Sequence, residues 1–508
     1  MYSAPLAWLD KNFQLRPIDT LNFDIERQNL RQCLLNSRRD IKLVCVNATT
    51  ERLRDEVTRG CTCLHYSGHG SPRHLSFEDG CGGLHVVDDK RLRSLCEAGG
   101  VQKLKFVFVS ACYSQRAGQA FADAGVPHVC CVDVDEQLLD RAAQVFTHAF
   151  YLAVACGNTI RGAFEVGVSA VAVAPNIHSK EGDKFLLLPK DANHDVALFE
   201  GVPRLSSRRR RRPTLTGAED LGLMNLPAVP ENFLGRNVEM YRLLVGLSRR
   251  RLLSVTGPRS MGKTALAIAV SHYMAQRQMF RNGVFFVRLD GMRNSEAMVR
   301  AISHAVGLKL SERHSGEKRS SNDTRLFDAL KTKRCVVVLD HCDDVMHCVD
   351  FRNCLGRLLD HTRNLKLILT ARVAVGSLPG FTEDDINMRR LLPGDAMNLL
   401  LKLSPDADLS LRGSNRDRAL HHMQTHPVLS KLDLGWPGRC VALANNLRNS
   451  ASESDGLLSL LLEDQQDEKR ISEQVKRLEV LLNGEFESVA SKRDGKDLDD
   501  VSEGGGPE

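Results

Sequence analysis

The chain has 508 residues, which is too long for one ordinary hydrophobic core, so two or three domains are expected. Its 42% hydrophobic and 26% charged residues exclude a wholly disordered or fibrous protein, and its net charge of +6, from 69 basic and 63 acidic residues, gives no argument for nucleic-acid binding. The sequence predicts neither a signal peptide nor a membrane span, so its fifteen cysteines are expected to be reduced thiols in a cytoplasmic or nuclear compartment.

Residues 1–190 alternate short apolar runs with amphipathic stretches. The predicted elements are two helices, residues 25–35 and 118–124, and four strands, residues 43–46, 61–66, 106–109 and 128–132. This alternation predicts an α/β fold with a mostly parallel sheet. Active groups of such sheets lie beyond the carboxyl ends of the strands, so the residues that directly follow these runs are the ones expected to act.

A histidine and a cysteine follow two of these strands. His69 lies between Gly68 and Gly70, and Cys112 follows the strand at 106–109. A thiolate nucleophile needs a base within hydrogen-bond reach and donors for the developing oxyanion. The pattern therefore predicts His69 as general base, Cys112 as nucleophile, and the N–H groups of Gly70 and Cys112 as oxyanion donors. Judged on these residues alone, a purely structural role for both side chains is the alternative.

The surroundings of this pair resemble a known family. H-Y-S-G-H-G, then S-A-C-Y-S, then A-G-Q-A-F-A-D-A-G-V-P-H-V resemble the CHAT domain, a caspase-like family of cysteine peptidase relatives. Residues 146–164 resemble its closing helices and residues 185–189 its terminal strand, so the resemblance covers nearly all of residues 1–190. It implies a caspase-like α/β domain that acts on protein substrates with His69 as base and Cys112 as nucleophile.

The residue before the scissile bond is not predicted. Relatives that cleave after Arg or Lys often carry an aspartate two residues before the cysteine, where this chain has Ser110. Asp133 and Asp135, after the next predicted strand, are weak substitutes.

Residues 191–230 are rich in proline and contain the basic run Arg208–Arg212. Prolines with clustered like charge predict a linker. The run is interpreted as a solvated, flexible segment, with a nuclear localisation signal or a nucleic-acid patch as the alternatives.

A second alternating segment begins after the linker. Its predicted strands are apolar throughout, as expected for strands buried on both faces, and comprise residues 252–256, 283–287, 336–339 and 365–369. The first strand leads into a phosphate-loop pattern, G-x-x-x-x-G-K-[ST], and then into a predicted helix at 265–274. The residues expected to bind phosphate are Gly257, Pro258, Arg259, Ser260, Met261, Gly262, Lys263 and Thr264.

Three side chains are expected beside the nucleotide phosphates. Lys263 should reach the β- and γ-phosphates, while Thr264 and Asp340, at the tip of the strand 336–339, should hold Mg²⁺. Asp343 is expected to orient or deprotonate the attacking water. Asp344 is interpreted as a helix N-cap.

Residues 231–448 resemble the NB-ARC class of STAND ATPases, the signalling nucleotide switches of plant immune receptors and apoptosomes. F-L-G-R at 233–236 with Glu239 looks like the first motif of that class, L-K-L-I-L-T-A-R like its sensor strand, and L-G-W-P like its G-x-P motif. The resemblance implies ATP or ADP binding with Mg²⁺ as cofactor, and it adds four binding residues, Gly235, Arg236, Arg372 and Pro437. No winged-helix segment with an ADP-sensing histidine and no sensor repeats are found.

The predicted organisation has five parts. These are a CHAT caspase-like domain at 1–190, a basic linker at 191–230, an NB-ARC-like P-loop domain at 231–390, a helical ARC-like subdomain at 391–450, and an acidic tail, helical then disordered, at 451–508. Zinc binding by Cys61, Cys63, His65 and Cys81 is rejected, since no C-x-x-C pair is present and a buried strand explains the alternation.

The predicted function is that of a STAND-type signalling protein in which ATP and ADP binding regulates a CHAT cysteine endopeptidase. The NTPase domain would also be a slow Mg²⁺-dependent ATPase and a site of self-association. The alternative is a non-catalytic CHAT adaptor on a nucleotide-dependent oligomerisation switch. A third interpretation is a motor-type ATPase that acts on DNA, which DNA-stimulated turnover would distinguish.

Overall fold

The computed structural model describes residues 1–19, 21, 23–133, 140–203, 225–308, 322–403, 421 and 435–449. The chain divides into two compact units. Unit 1 comprises residues 1–224, 240–249 and 273–283, and unit 2 comprises residues 225–239, 250–272 and 284–508. Three features of the sequence lie outside the described residues, namely Asp135, the run Arg208–Arg212 and the tail from residue 451.

The secondary structure alternates along the chain. The strands are β1 (Ala7–Leu9), β2 (Leu15–Pro17), β3 (Cys63–Ser67), β4 (Gly70–Ser71), β5 (His74–Glu78), β6 (Leu84–Asp88), β7 (Phe106–Ser110), β8 (Val129–Val132), β9 (Phe185–Leu188), β10 (Leu252–Thr256), β11 (Val284–Arg288), β12 (Val336–Asp340), β13 (Lys366–Thr370) and β14 (Glu383–Asn387). The α-helices are α1 (Asp24–Asn36), α2 (Thr50–Thr58), α3 (Asp89–Gly99), α4 (Gln115–Asp123), α5 (Asp140–Cys156), α6 (Ile160–Ala172), α7 (Asn237–Arg249), α8 (Lys263–Gln276), α9 (Ser295–Ala305), α10 (Asn322–Leu330), α11 (Val349–His361), α12 (Pro393–Leu403) and α13 (Pro437–Asn449).

Unit 1 is built on a four-stranded sheet in the order β3-β7-β8-β9. The first three strands are parallel and β9 is antiparallel to β8. Side chains of β7 alternate between two cores: Val107 and Val109 pack with Phe121 of α4, while Phe106 and Phe108 pack with Phe150 of α5. Helices therefore cover both faces of the sheet, and all five residues of β7 are buried.

A second, antiparallel sheet of unit 1 follows His69 directly. It has the order β4-β5-β6, with Gly70 opposite Leu75. Leu75 and Phe77 of β5 and Val87 of β6 are buried in the same core as β7. This hairpin sheet was not predicted, and it anchors the backbone on the carboxyl side of His69.

Unit 2 contains a five-stranded parallel sheet in the order β11-β12-β13-β10-β14. All residues of β10 and β12 are buried, as their largely apolar sequences predict. The two strands that carry phosphate-site residues, β10 and β12, are both neighbours of β13. Their carboxyl ends consequently lie at one edge of the sheet.

Most of the predicted strands and helices are confirmed within a few residues, but one is wrong. Residues 43–46 do not form a strand; Asn47 makes an isolated parallel bridge to Tyr2, and the N–H of Tyr2 donates to the Val46 carbonyl at 3.0 Å. Within the run, Val44 takes part in a single isolated bridge, and Tyr2 also bridges Ser67. An apolar run alone cannot distinguish a paired strand from an extended segment that simply packs on the core.

None of the helices within the described residues is long and apolar enough to cross a membrane.

Candidate functional site

His69 and Cys112 lie beside each other because β3 and β7 are parallel neighbours in matched register. Ser67 and Ser110, the last residues of these strands, are paired, and each reactive residue stands two positions further along its own chain segment. The N–H of Gly68 donates to the Ser110 carbonyl at 3.3 Å, which continues the pairing past the strand ends. Both residues line one cavity at the carboxyl edge of the sheet. The structure thus brings the two residues to one cavity, and their roles as base and nucleophile stay a prediction.

The ring of His69 is held by a main-chain atom. Its Nε2 lies 2.8 Å from the carbonyl oxygen of Asp19. A carbonyl can only accept, so this contact assigns the proton to Nε2 and leaves Nδ1 as the unprotonated nitrogen of the neutral ring. Sequence reasoning missed Asp19, because a main-chain carbonyl can come from any residue type and leaves no signal in the sequence.

Gly68 and Gly70 are required by close approaches. A Cβ on Gly70 would lie 2.2 Å from the main-chain oxygen of Cys112, and one on Gly68 would lie 2.7 Å from the Tyr66 hydroxyl. Gly70 also sits at a non-hydrogen-bonded position of the hairpin, since the adjacent His69 carbonyl accepts from Ser76 at 3.1 Å. The Gly70 N–H therefore points away from β5, as an oxyanion donor would need to.

Replacing Gly70 by alanine is expected to disrupt this site. The added methyl group overlaps the Cys112 carbonyl, which belongs to the backbone and cannot rotate away, so unit 1 should lose about 1–3 kcal/mol of stability. Scanning calorimetry measures the loss. Gly201→Ala is the matched control, because a Cβ there meets nothing within 4 Å. An unchanged unfolding temperature for Gly70→Ala would contradict the close approach.

Most other cysteines of unit 1 are unsuited to react. Burial raises the pKa of Cys63 and of Cys131 to about 12, so these thiols stay protonated at neutral pH. Cys112 is half-buried and Cys156 is exposed. Zinc ligation by Cys63 and His65 finds no support, since His65 contacts Glu26 and Tyr151 instead, and no described group of three His, Cys, Asp or Glu residues is placed to hold a metal.

The phosphate loop in unit 2 has backbone conformations with positive φ, which residues other than glycine rarely adopt. Gly257 and Gly262 have φ values of 139° and 88°, and Ser260 also lies in the left-handed region at 61°. The Lys263 Nζ donates to the carbonyls of Gly257 and Pro258, both at 2.8 Å. Burial lowers the pKa of Lys263, against the opposing charge of Asp343. The ammonium group is thus folded over the loop in which phosphate oxygens are expected.

The Thr264 hydroxyl and the Asp340 carboxylate, the two groups expected to hold Mg²⁺, lie within hydrogen-bond distance of each other. Asp340 is fully buried at the end of β12, and its Oδ1 accepts from the hydroxyls of Thr264 at 2.9 Å and Thr370 at 2.6 Å. Its buried Oδ2 accepts no hydrogen bond from the residues that the structure describes, and His341 Nε2 lies 3.7 Å away. An orphaned carboxylate oxygen beside a threonine hydroxyl is the oxygen-rich donor set that Mg²⁺ prefers.

Asp343 and Arg372 are joined across the same edge of the sheet. The N–H of Arg372 donates to Asp343 Oδ1 at 2.6 Å, and its Nε lies 4.0 Å from the same oxygen. The Gly257 N–H in turn donates to the Arg372 carbonyl at 3.3 Å. The interpretation of Asp344 as a helix N-cap is wrong, because α11 begins after Cys348 and Asp344 instead accepts from the Gly291 N–H at 3.4 Å.

Arg236 and the G-x-P segment both contact the phosphate loop. The buried Arg236 guanidinium donates to the Met261 carbonyl at 3.2 Å and forms an ion pair with Glu239 at 2.9 Å. Trp436 Nε1 donates to the Arg259 carbonyl at 3.1 Å, and Pro437 begins α13. The structure therefore gathers separate predicted motifs around one loop.

Gly235 has a φ of 68°, and a Cβ on it would lie 2.6 Å from the Asp395 side chain, so the turn before Arg236 needs glycine. Leu434 of the same G-x-P motif lies outside the described residues.

Residues 239–410 match the family model of the NB-ARC domain. Uncharacterized proteins of Mycobacterium bovis and of two Mycobacterium tuberculosis strains are each 27% identical over 146 residues, which are 28% of this chain and 34% of each relative. The chain thus spans about a third of the length of the curated relatives it matches.

Solved structures of low identity also match. A Walker-type ATPase of Pyrococcus abyssi is 14% identical with a TM-score of 0.33, over 52% of this chain and 78% of that one. The Aeropyrum pernix ORC2 protein, solved as ADPNP–ADP complexes, is 14% identical with a TM-score of 0.34, over 47% and 70% of the two chains. Residues 239–410 thus resemble the NB-ARC domain, and the phosphate loop with its left-handed glycines lies within this segment of α/β structure.

Proposed function

We propose that this protein is a STAND-type signalling protein in which ATP and ADP binding controls a CHAT cysteine endopeptidase formed by residues 1–190. The observation that carries the peptidase half is the placement of His69 and Cys112 at adjacent strand ends, with the His69 ring fixed by the Asp19 carbonyl. The nucleotide half rests on the NB-ARC match and the phosphate-loop geometry.

The proposed cleavage uses His69 Nδ1, the ring nitrogen that does not contact the Asp19 carbonyl. His69 Nδ1 accepts the Cys112 proton, and the thiolate attacks the carbonyl carbon of the scissile peptide bond. The N–H groups of Gly70 and Cys112 stabilise the oxyanion. As the C–N bond breaks, His69 returns the proton to the departing amine; it then takes a proton from water, which hydrolyses the thioester and frees the thiol.

In unit 2, Lys263 and the loop N–H groups would bind the phosphates of ATP or ADP, with Arg236 and Pro437 beside the adenosine. Thr264 and Asp340 would hold Mg²⁺, which when bound neutralises phosphate charge. Arg372 would contact the γ-phosphate, and Asp343, which already fixes the Arg372 backbone, would orient the attacking water. Slow hydrolysis would then return the protein to its ADP state.

A nucleotide can shift a conformational equilibrium only by its differential affinity for the two states. The proposal is that the ATP-bound state, or the self-association it promotes, makes the His69–Cys112 pair reactive toward protein substrates.

Thiol labelling of the full chain tests both halves together. Iodoacetamide labelling followed by mass spectrometry should modify Cys112 faster than the exposed Cys156, and His69→Ala should remove this advantage. The Cys112 rate should differ between Mg²⁺-ATP and Mg²⁺-ADP. Labelling of Cys112 that is slow and independent of His69 would contradict the peptidase and favour a non-catalytic adaptor, while a rate identical in both nucleotides would contradict the coupling.

A further inference from the structure

A cavity of about 200 Å³ opens beside His69 and Cys112. Sites for whole small-molecule ligands usually measure about 300–1,000 Å³, so this one is the size for a single side chain. A polypeptide lying across the strand ends would place one of its side chains here, next to the peptide bond that Cys112 attacks. The chemistry of the cavity wall should therefore decide which residue precedes that bond.

Part of the wall is apolar, and its one buried charged group is a carboxylate. Leu21, Phe23 and Ala143 supply the apolar part, while Glu26, on the first turn of α1, is only 6% exposed. Apolar side chains and a buried carboxylate in one wall match a side chain with an aliphatic stem and a cationic end.

Two neighbours fix the Glu26 carboxylate. His65 Nε2 lies 3.0 Å from its Oε1, and the Ser67 side chain forms a second hydrogen bond with it. Burial alone would raise the pKa of Glu26, but the charge of His65 and these hydrogen bonds outweigh burial and leave the pKa below its usual value. A carboxylate offers about four acceptor positions, so these two contacts orient the group without exhausting it.

A second acid stands at the same cavity. Asp140, the exposed first residue of α5, also lines it. None of the described lining residues is Lys or Arg. The Met1 amino group also acts on Glu26, but burial lowers the pKa of that amine, which favours its uncharged form.

We propose that this cavity binds the Lys or Arg side chain that precedes the scissile bond, with Glu26 holding its cationic end and Asp140 at the opening. The inference rests on the proposed peptidase function and names its substrate class. Glu26 is a specificity residue here; it takes no part in proton transfer.

Peptidyl acyloxymethyl ketones that differ only in the residue beside the reactive group test the proposal. They are applied to the full chain with Mg²⁺-ATP, and the labelling rate of Cys112 is measured for Arg, Lys, Leu and Asp probes. The Arg and Lys probes should label about tenfold faster than the Leu and Asp probes. In Glu26→Gln the ratio of Arg to Leu rates should fall about tenfold, whereas iodoacetamide labelling of Cys112 should persist.

Glu97→Gln is the matched control, an exposed acid on α3 away from the cavity, and should keep the wild-type ratio. Asp140→Asn should lower the ratio by a few fold, since its charge is screened by solvent. If Glu26→Gln does not fold, the wild-type probe series and Asp140→Asn decide the matter.

Equal or faster labelling by the Leu or Asp probe would overturn the basic specificity while leaving the peptidase intact. An unchanged ratio in folded Glu26→Gln would overturn the role of Glu26. If no probe labels the wild-type protein more than the Cys112→Ala variant, the peptidase proposal itself fails, and the inference fails with it.

Discussion

The variant Cys112→Ala is expected to lose proteolytic activity by about 10³-fold or more. The proposed thioester requires a thiol, and Cys112 is the one cysteine among the described residues that line the cavity. The loss is measured by adding wild type or Cys112→Ala to a lysate with Mg²⁺-ATP and comparing the new protein N-termini that each produces. New N-termini should appear only with wild type, and the residues preceding them should be enriched in Lys and Arg.

The control for this experiment is Cys156→Ala, which removes an exposed thiol outside the cavity and should cleave like wild type. His69→Ala should resemble Cys112→Ala, because the two residues act as one unit and their effects do not add. Equal cleavage by wild type and Cys112→Ala would show that the cleavage does not come from the His69–Cys112 site.

The variant Lys263→Ala should bind ATP and ADP about 10- to 100-fold more weakly. Charge-assisted hydrogen bonds to phosphate are among the stronger polar contacts, and Lys263 is the cation that lies across the loop carbonyls of Gly257 and Pro258. Isothermal titration calorimetry with Mg²⁺-ATP measures the change. Nucleotide dependence of Cys112 labelling should disappear in the same variant.

Lys333→Ala, which removes an exposed lysine before β12, is the matched control and should bind nucleotide as wild type does. Thermal unfolding of both variants without nucleotide separates lost binding from lost folding. Wild-type affinity in Lys263→Ala would contradict the assignment of the phosphate site.

The parts of the fold that could be predicted are those with a strong local signal. Strands β10 and β12 are mostly apolar, as expected for strands with both faces buried, and the phosphate loop has a fixed spacing of Gly257, Gly262 and Lys263. Because His69 and Cys112 each follow a predicted parallel strand, both were expected at the carboxyl edge of one sheet. That β3 and β7 are immediate neighbours there is a result of the structure.

Other parts leave little trace in the sequence. β14 contains three acids, and its pattern does not indicate a strand. Its backbone pairs in parallel with β10, where Thr256 donates to Asp385 at 2.7 Å and Ser254 hydrogen-bonds Glu383. In the sequence, Glu26 is indistinguishable from the other charged residues of an amphipathic helix. Only the tertiary structure shows that it lines the cavity. The Asp19 carbonyl could not be predicted from the sequence either, because its contact with His69 does not depend on the Asp19 side chain.

The anchoring of His69 by Asp19 also bears on when activity can first exist. The parts of the proposed dyad come from residues 19, 69 and 112, and they meet only after β3 has paired with β7. Such non-local contacts form late, since loop closure must precede them. A growing chain that has not yet reached Cys112 carries the base without its nucleophile, and therefore no reactive centre. The order of residues along the chain would thus delay the proposed proteolysis until Cys112 has been made and β3 has paired with β7, before any nucleotide is involved.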